Sequence, residues 1–127
     1  MKLALDTNRY IDFVRGIAEV VRRVNEAEAV CVPFATLAEI RLGFEHGHHA
    51  RDNERVLAEF LQRPGVSCLF PDQQTTRHYA AIYGELRRKG TPIPTNDVWI
   101  AALVVQHGLT LYARDKHFDH LPQLPRL

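Results

Sequence analysis

The chain is poor in cysteine, in charge of one sign and in long apolar runs. Its two cysteines, Cys31 and Cys68, lie in apolar strand-like stretches and form no Cys-x-x-Cys pair. They read as buried, reduced thiols. No apolar run approaches the length of a membrane span. The first acid, Asp6, follows only Leu3-Ala4-Leu5, too short a stretch for the core of a signal peptide. A soluble, cytoplasmic protein is therefore expected. The formal net charge is +1, which neither requires nor excludes nucleic acid and leaves local arrangement to decide. Repeats, low-complexity tracts and linkers are also absent. With 127 residues, 46% hydrophobic and 24% charged, the chain reads as one domain over 1–127 with a substantial core.

Apolar patterning divides this domain into alternating strands and helices. Leu3 to Leu5 reads as a short buried strand, followed by Tyr10, Phe13 and Val14 at helical spacing up to Gly16. Val20, Val21 and Val24 mark one face of a helix from about Ile17 to Glu26. Ala29 to Val32 is predicted as a strand bounded by Pro33, and Phe34 to His46 as a helix. After the polar run His48 to Asn53, Val56, Leu57, Phe60 and Leu61 mark another helix, stopped by Pro64-Gly65. Val66 to Phe70 forms a third predicted strand, Asp72 to Lys89 a long helix closed by Gly90, and Thr95 the N-cap of a helix to His107. Leu109 to Ala113 is the fourth strand. The tail from Pro122 fits at most a short edge strand. The alternation predicts an α/β fold with a mainly parallel sheet.

Four acids stand where strands give way to helices or loops: Asp6, Glu39, Asp97 and Asp115. Each has a local explanation. Asp6 suits a helix N-cap. Thr36-Leu-Ala-Glu39 fits a capping box, in which the glutamate returns to the Thr36 N–H. Asp97 falls in a first helical turn, where the macrodipole favours a carboxylate. Asp115 suits a turn before Lys116. The almost wholly apolar run Val98 to Val105 makes the Asp97 helix central, so that its leading acid faces a crevice.

Taken together, the four share one kind of position, and strand ends at one edge of an open parallel sheet converge on one crevice. Two unit charges about 4 Å apart repel by about 4 kcal/mol at an effective dielectric of roughly 20. Divalent cations relieve such repulsion. An oxygen-only ligand set suits Mg²⁺ or Mn²⁺ over zinc, and carboxylates with such an ion point to phosphate chemistry.

Leu-Asp6-Thr-Asn, Glu39 in Thr-Leu-Ala-Glu-Ile-Arg-Leu-Gly, Asp97 in Asp-Val-Trp-Ile-Ala-Ala, and Asp115-Lys-His-Phe resemble, in order and over essentially the whole chain, the PIN-domain family. The likeness is greatest to the VapC-type ribonuclease toxins of toxin–antitoxin pairs. The resemblance implies a three-layer fold with a four- to five-stranded, mainly parallel sheet. It also implies Mg²⁺- or Mn²⁺-dependent cleavage of RNA phosphodiester bonds, a homodimer, and a cognate VapB-type antitoxin. By the same resemblance Asp6 and Asp97 are direct metal ligands and Asp115 completes the site. Glu39 would orient metal-bound water or bind a second ion, and Thr7 would support Asp6 through its hydroxyl. One departure stands out: Ala113 occupies a position where the family usually has Thr or Ser.

Other residues carry weaker signals. His46, His48 and His49 read as a solvated helix end, His117 and His120 as surface residues near Asp115. Arg87-Arg88-Lys89 fits either a helix C-terminus or a phosphate contact. Arg9, Arg41, Arg114 and Lys116 neighbour the acids and could hold RNA phosphates. Trp99, Tyr79 and Tyr83 read as core or dimer contacts. Three further functions compete with the toxin reading: a PIN nuclease acting in RNA processing or on structured DNA, a catalytically lapsed antitoxin-binding module, and a three-carboxylate phosphoacceptor domain. The last lacks the expected lysine, having Arg114-Asp115 at its place.

Overall fold

In the computed structural model, which describes residues 1–127, four strands form one parallel sheet: β1 (Lys2–Leu5), β2 (Ala29–Pro33), β3 (Val66–Leu69) and β4 (Thr110–Tyr112), in the order β3-β2-β1-β4. The helices are α1 (Thr7–Val14), α2 (Ala18–Glu26), α3 (Phe34–Glu45), α4 (Ala50–Leu61), α5 (Gln73–Lys89) and α6 (Thr95–His107). A 3₁₀ turn, Lys116–His120, follows β4.

Strand alternation sorts the core into two halves, because successive side chains leave opposite faces of a sheet. Leu3, Leu5, Val30, Val32 and Tyr112 pack with Val20, Val24, Leu57 and Phe60 on one face. Ala4 and Leu111 face the other way, onto α5 and α6, where Ile82, Leu86, Val98 and Ile100 to Ala102 join Phe118 of the 3₁₀ turn. Helix α3 spans the sheet edge, with Ala35 in the second half and Leu37 and Ile40 in the first. The two cysteines are free, as expected, but only partly buried, a correction to the buried thiols expected. Strands β2 and β3 occupy the side of the sheet away from β4.

Helix α6 is the most enclosed. Val98 and Ile100 to Val104 are inaccessible to solvent, as befits a helix whose apolar residues surround it rather than marking one stripe. Thr95 is its first residue rather than its N-cap, a place taken by Pro94. Pro94 suits the position through its fixed φ and extended ψ, and its C=O receives the Asp97 and Val98 N–H groups. Asp72, by contrast, caps α5 reciprocally with Thr75. Gly90 ends α5 at φ 70°, a left-handed conformation that glycine adopts without Cβ strain. The tail makes no full fifth strand. It lies along the free edge of β4 with a single parallel bridge, Leu111 to Arg126, flanked by Leu111 N–H to Pro125 C=O at 2.8 Å and Leu127 N–H to Leu111 C=O at 2.9 Å.

Thr36 is fully buried in α3, and its hydroxyl donates to the Leu5 carbonyl at 3.0 Å, tying the helix to the last residue of β1. Thr36→Val keeps the shape and removes this bond. Urea unfolding of the metal-free protein is expected to show a loss of about 1–2 kcal/mol; an unchanged midpoint would mean that the bond contributes nothing.

Candidate metal centre

Strand β1 lies between β2 and β4, so the chain order reverses between β1 and β4. In open α/β sheets the crevice beyond the carboxyl ends of strands at such a reversal is where ligands bind. Asp6 leaves β1 here, its backbone N–H donating to the Tyr112 carbonyl of β4 at 3.2 Å. Asp6 occupies the N-cap position of α1, yet its carboxylate makes no capping hydrogen bond. Asp97 enters from the first turn of α6, Glu39 from α3, and Asp115 from the segment after β4.

Residues adjacent to one acid hold the next. The Thr7 hydroxyl, beside Asp6, donates to Glu39 Oε2 at 2.8 Å. Asn96, beside Asp97, offers its Nδ2 to Glu39 Oε1 at 3.3 Å. His117 Nδ1 lies 2.7 Å from Asp97 Oδ2 and 3.1 Å from Asp115 Oδ1. Asp115 Oδ1 also accepts the His117 backbone N–H at 2.9 Å, capping the 3₁₀ turn.

Several sequence expectations change. Thr7 binds Glu39 rather than supporting Asp6. The capping box of Thr36 and Glu39 does not form, because α3 begins at Phe34, the Thr36 hydroxyl goes to Leu5, and Glu39 faces the crevice. Asp115 keeps its turn role while its carboxylate remains at the site. No hydroxyl at position 113 is needed to fix its backbone, since Arg126 donates to the carbonyls of Ala113 and Asp115 at 2.9 and 3.2 Å. His117 lies at the surface as expected, and its ring also reaches two of the acids. Of the nearby cations, Arg9 and Arg114 both pair with Asp12, and Arg41 pairs with Glu54. Lys116 is exposed and unpaired.

The electrostatics express this crowding. Burial, followed by the charges of Asp97, Glu39 and Asp115, pushes Asp6 up to about 6 against a partial opposing effect of the Thr7 backbone N–H. Burial also raises Asp97, opposed by its hydrogen bond from His117. That same bond raises the His117 imidazole. Asp97, Asp115 and His117 bring three ligand atoms within 4.8 Å of one another. Buried anions close to one another, with an imidazole nitrogen among them, are a donor set that fits a divalent cation.

A family model described as PIN domain matches residues 3–124. This chain is a PIN-domain protein. It is 32% identical to ribonuclease VapC2 of Haemophilus influenzae across 91% of the chain and 87% of that protein. It is 31% identical to the tRNA(fMet)-specific endonuclease VapC of Salmonella typhimurium across 96% and 93%, respectively. The PIN domain therefore belongs to the VapC ribonucleases. Its fold superposes with a TM-score of 0.88 on the DNA-bound VapBC structure from S. typhimurium, at 28% identity over 100% of this chain and 97% of the other. VapBC-1 of nontypeable H. influenzae gives 0.87 at 25% identity over 100% and 97%. The parallel α/β architecture and the family resemblance expected from the sequence both hold. No helix of this PIN domain is long and apolar enough to cross a membrane.

The raised Asp6 value has a thermodynamic consequence. Because its folded value lies above the ordinary 3.8, folding favours the protonated acid. The favourable contribution is full below pH 3.8 and is lost as pH rises through about 6. Metal-free Asp6→Asn is therefore expected to be more stable than the wild type at pH 7.5, by about 1–3 kcal/mol, with the difference vanishing near pH 4. Denaturant unfolding at the two pH values measures this; a variant no more stable than the wild type at pH 7.5 would remove the case that burial and repulsion disfavour the ionised Asp6.

Proposed function

We propose that this PIN domain is a Mg²⁺-dependent endoribonuclease, with Mn²⁺ as an alternative ion, and the toxin of a VapBC-type pair. What supports the reading is that buried Asp6, at the β1–β4 reversal, feels the charges of Asp97, Glu39 and Asp115 and is driven up to about 6. Asp6 and Asp97, both buried, hold the cation, and Asp115 closes the site from the β4 side. Bound there, a divalent cation would supply positive charge for the scissile phosphate and the leaving 3′ oxygen. Glu39, held by Thr7 and Asn96, orients the attacking water through its carboxylate for in-line attack. Lys116, unpaired beside Asp115, contributes a cation for RNA phosphate.

The antitoxin partner follows from relatives solved as VapBC complexes. An apolar groove supports it: Tyr10, Ile11, Val14, Ile40, Phe44 and Val56 line a depression that also includes Thr7 and Glu39. A bound antitoxin segment could thus reach the acidic residues. For the proposed homodimer the supporting feature is α5, where partly exposed Tyr83 stacks on Tyr79 and Tyr79 packs on Trp99. The protein is proposed to act in the cytoplasm, where its RNA substrates are.

Asp6→Asn and Asp97→Asn are each expected to reduce RNA cleavage by about 10³-fold or more while leaving the fold intact. Mg²⁺ should raise the melting temperature of the wild type and raise that of Asp97→Asn less. Full cleavage by both variants, or equal thermal shifts, would overturn the metal assignment. Comparing tRNA, rRNA fragments and flap DNA as substrates separates the toxin ribonuclease from a nuclease acting on structured DNA.

A further inference from the structure

The four acids suggest a ligand set made of oxygen alone, but the imidazole of His117 lies among them. Its Nδ1 is 2.7 Å from Asp97 Oδ2 and 3.1 Å from Asp115 Oδ1, and these groups come from different elements: the first turn of α6 and the 3₁₀ turn after β4. Adjacent ligands of an octahedral ion, each about 2.1 Å from its centre, lie about 3 Å apart. The His117 nitrogen therefore already stands at the spacing of a neighbouring ligand from two carboxylate oxygens.

The local backbone fixes this position. Asp115 caps the turn through the His117 N–H at 2.9 Å. Phe118, the next residue, is fully buried in the α5–α6 half of the core. Arg126 clamps the carbonyls of Ala113 and Asp115. The backbone on both sides of His117 is thus anchored, while its side chain is half-exposed and free to adjust by a rotamer change. Nothing else in the structure uses the ring: its polar contacts are to Asp97 and Asp115 alone.

We propose that His117 is a direct ligand of the cation, giving it an imidazole nitrogen beside the Asp97 and Asp115 oxygens and shifting ion preference from Mg²⁺ towards Mn²⁺. The inference rests on the metal site proposed above. The chemical basis is that Mg²⁺ binds hard oxygen donors and holds its waters, whereas first-row transition ions accept nitrogen ligands more readily, increasingly along the series that begins with Mn²⁺. Ligation takes the neutral ring, with Nδ1 unprotonated and the proton on Nε2; the hydrogen bond to Asp97 is exchanged for a shared ion. His117 accordingly acts as a selectivity determinant, and the acids alone supply the charge.

The test uses the full chain and Mn²⁺ itself. Titration followed by the electron paramagnetic resonance of free Mn²⁺ gives its affinity, and competition by Mg²⁺ gives the second affinity. Pulsed measurements on the bound ion detect coupling to a ligated nitrogen. The wild type should show ¹⁴N coupling that converts to ¹⁵N coupling when the histidines are labelled. His117→Asn should lose the coupling and weaken Mn²⁺ by about tenfold or more, while Mg²⁺ weakens by less than about threefold. A wild-type Mn²⁺ site without nitrogen coupling, or equal weakening of both ions in the variant, overturns His117 ligation and leaves the carboxylate site standing. Wild-type protein that binds no Mn²⁺, or binds it as tightly after Asp97→Asn, overturns the metal site and this inference with it. Should His117→Asn fail to fold, the isotope-labelled wild type decides alone.

Discussion

Mutual repulsion among carboxylates withdrawn from water is the constraint around which the site is built. Asp6 and Asp97 are both largely buried; the charge of Asp97 raises the cost of ionising Asp6, and those of Asp115 and Glu39 raise the cost of ionising both. The surroundings relieve this locally with the N-terminal dipole of α6, the imidazole of His117 and the backbone N–H of Thr7. These are partial charges or titratable groups, and Asp6 still ends near 6. A protein built only for stability would place such acids at its surface. Their retention in the crevice is the cost of a strong local field, which a bound metal ion would turn to use.

The fold supplies the rigidity that this field requires. Helix α6 is enclosed by apolar neighbours along almost its whole length, so Asp97 cannot move without disturbing α5 and the sheet. Asp6 is set by the β1–β4 ladder, and Asp115 by the 3₁₀ turn and Arg126. Glu39 is different. It is half-buried on α3 and gains its orientation from two side-chain hydrogen bonds. The two most buried acids are thus positioned by backbone, and Glu39 by contacts that can rearrange when substrate or ion arrives.

The course of the chain was largely readable from apolar spacing. Leu3 to Leu5, Ala29 to Val32 and Asp72 to Lys89 each agree with an element to within a residue or so, because their burial patterns match the strand or helix period. The apolar run behind Asp97 also announced an enclosed helix. Local patterns misled where a side chain had a remote partner. Thr36 and Glu39 have the spacing of a capping box, but each finds its partner across the fold, at Leu5 and at Thr7. His117 meets Asp97 over a separation of 20 residues, and nothing in Asp-Lys-His-Phe discloses that meeting. Its one available signal was the closeness of a histidine to an acid at the end of a strand. The family resemblance drew attention to the acids, whereas the contact of the histidine with Asp97 is visible only in the geometry.

Because Glu39 is held by the neighbours of Asp6 and Asp97, and Asp97 in turn meets the neighbour of Asp115, the site is a chain of mutual dependencies rather than four separate stations. Substitutions within it act on shared contacts and so cannot combine additively. Over evolutionary time this favours compensating pairs. A change at Glu39 alters what is useful at positions 7 and 96, and a change at His117 alters what Asp97 can tolerate. Sequence drift around this crevice should therefore leave its trace as covariation between residues far apart in the chain.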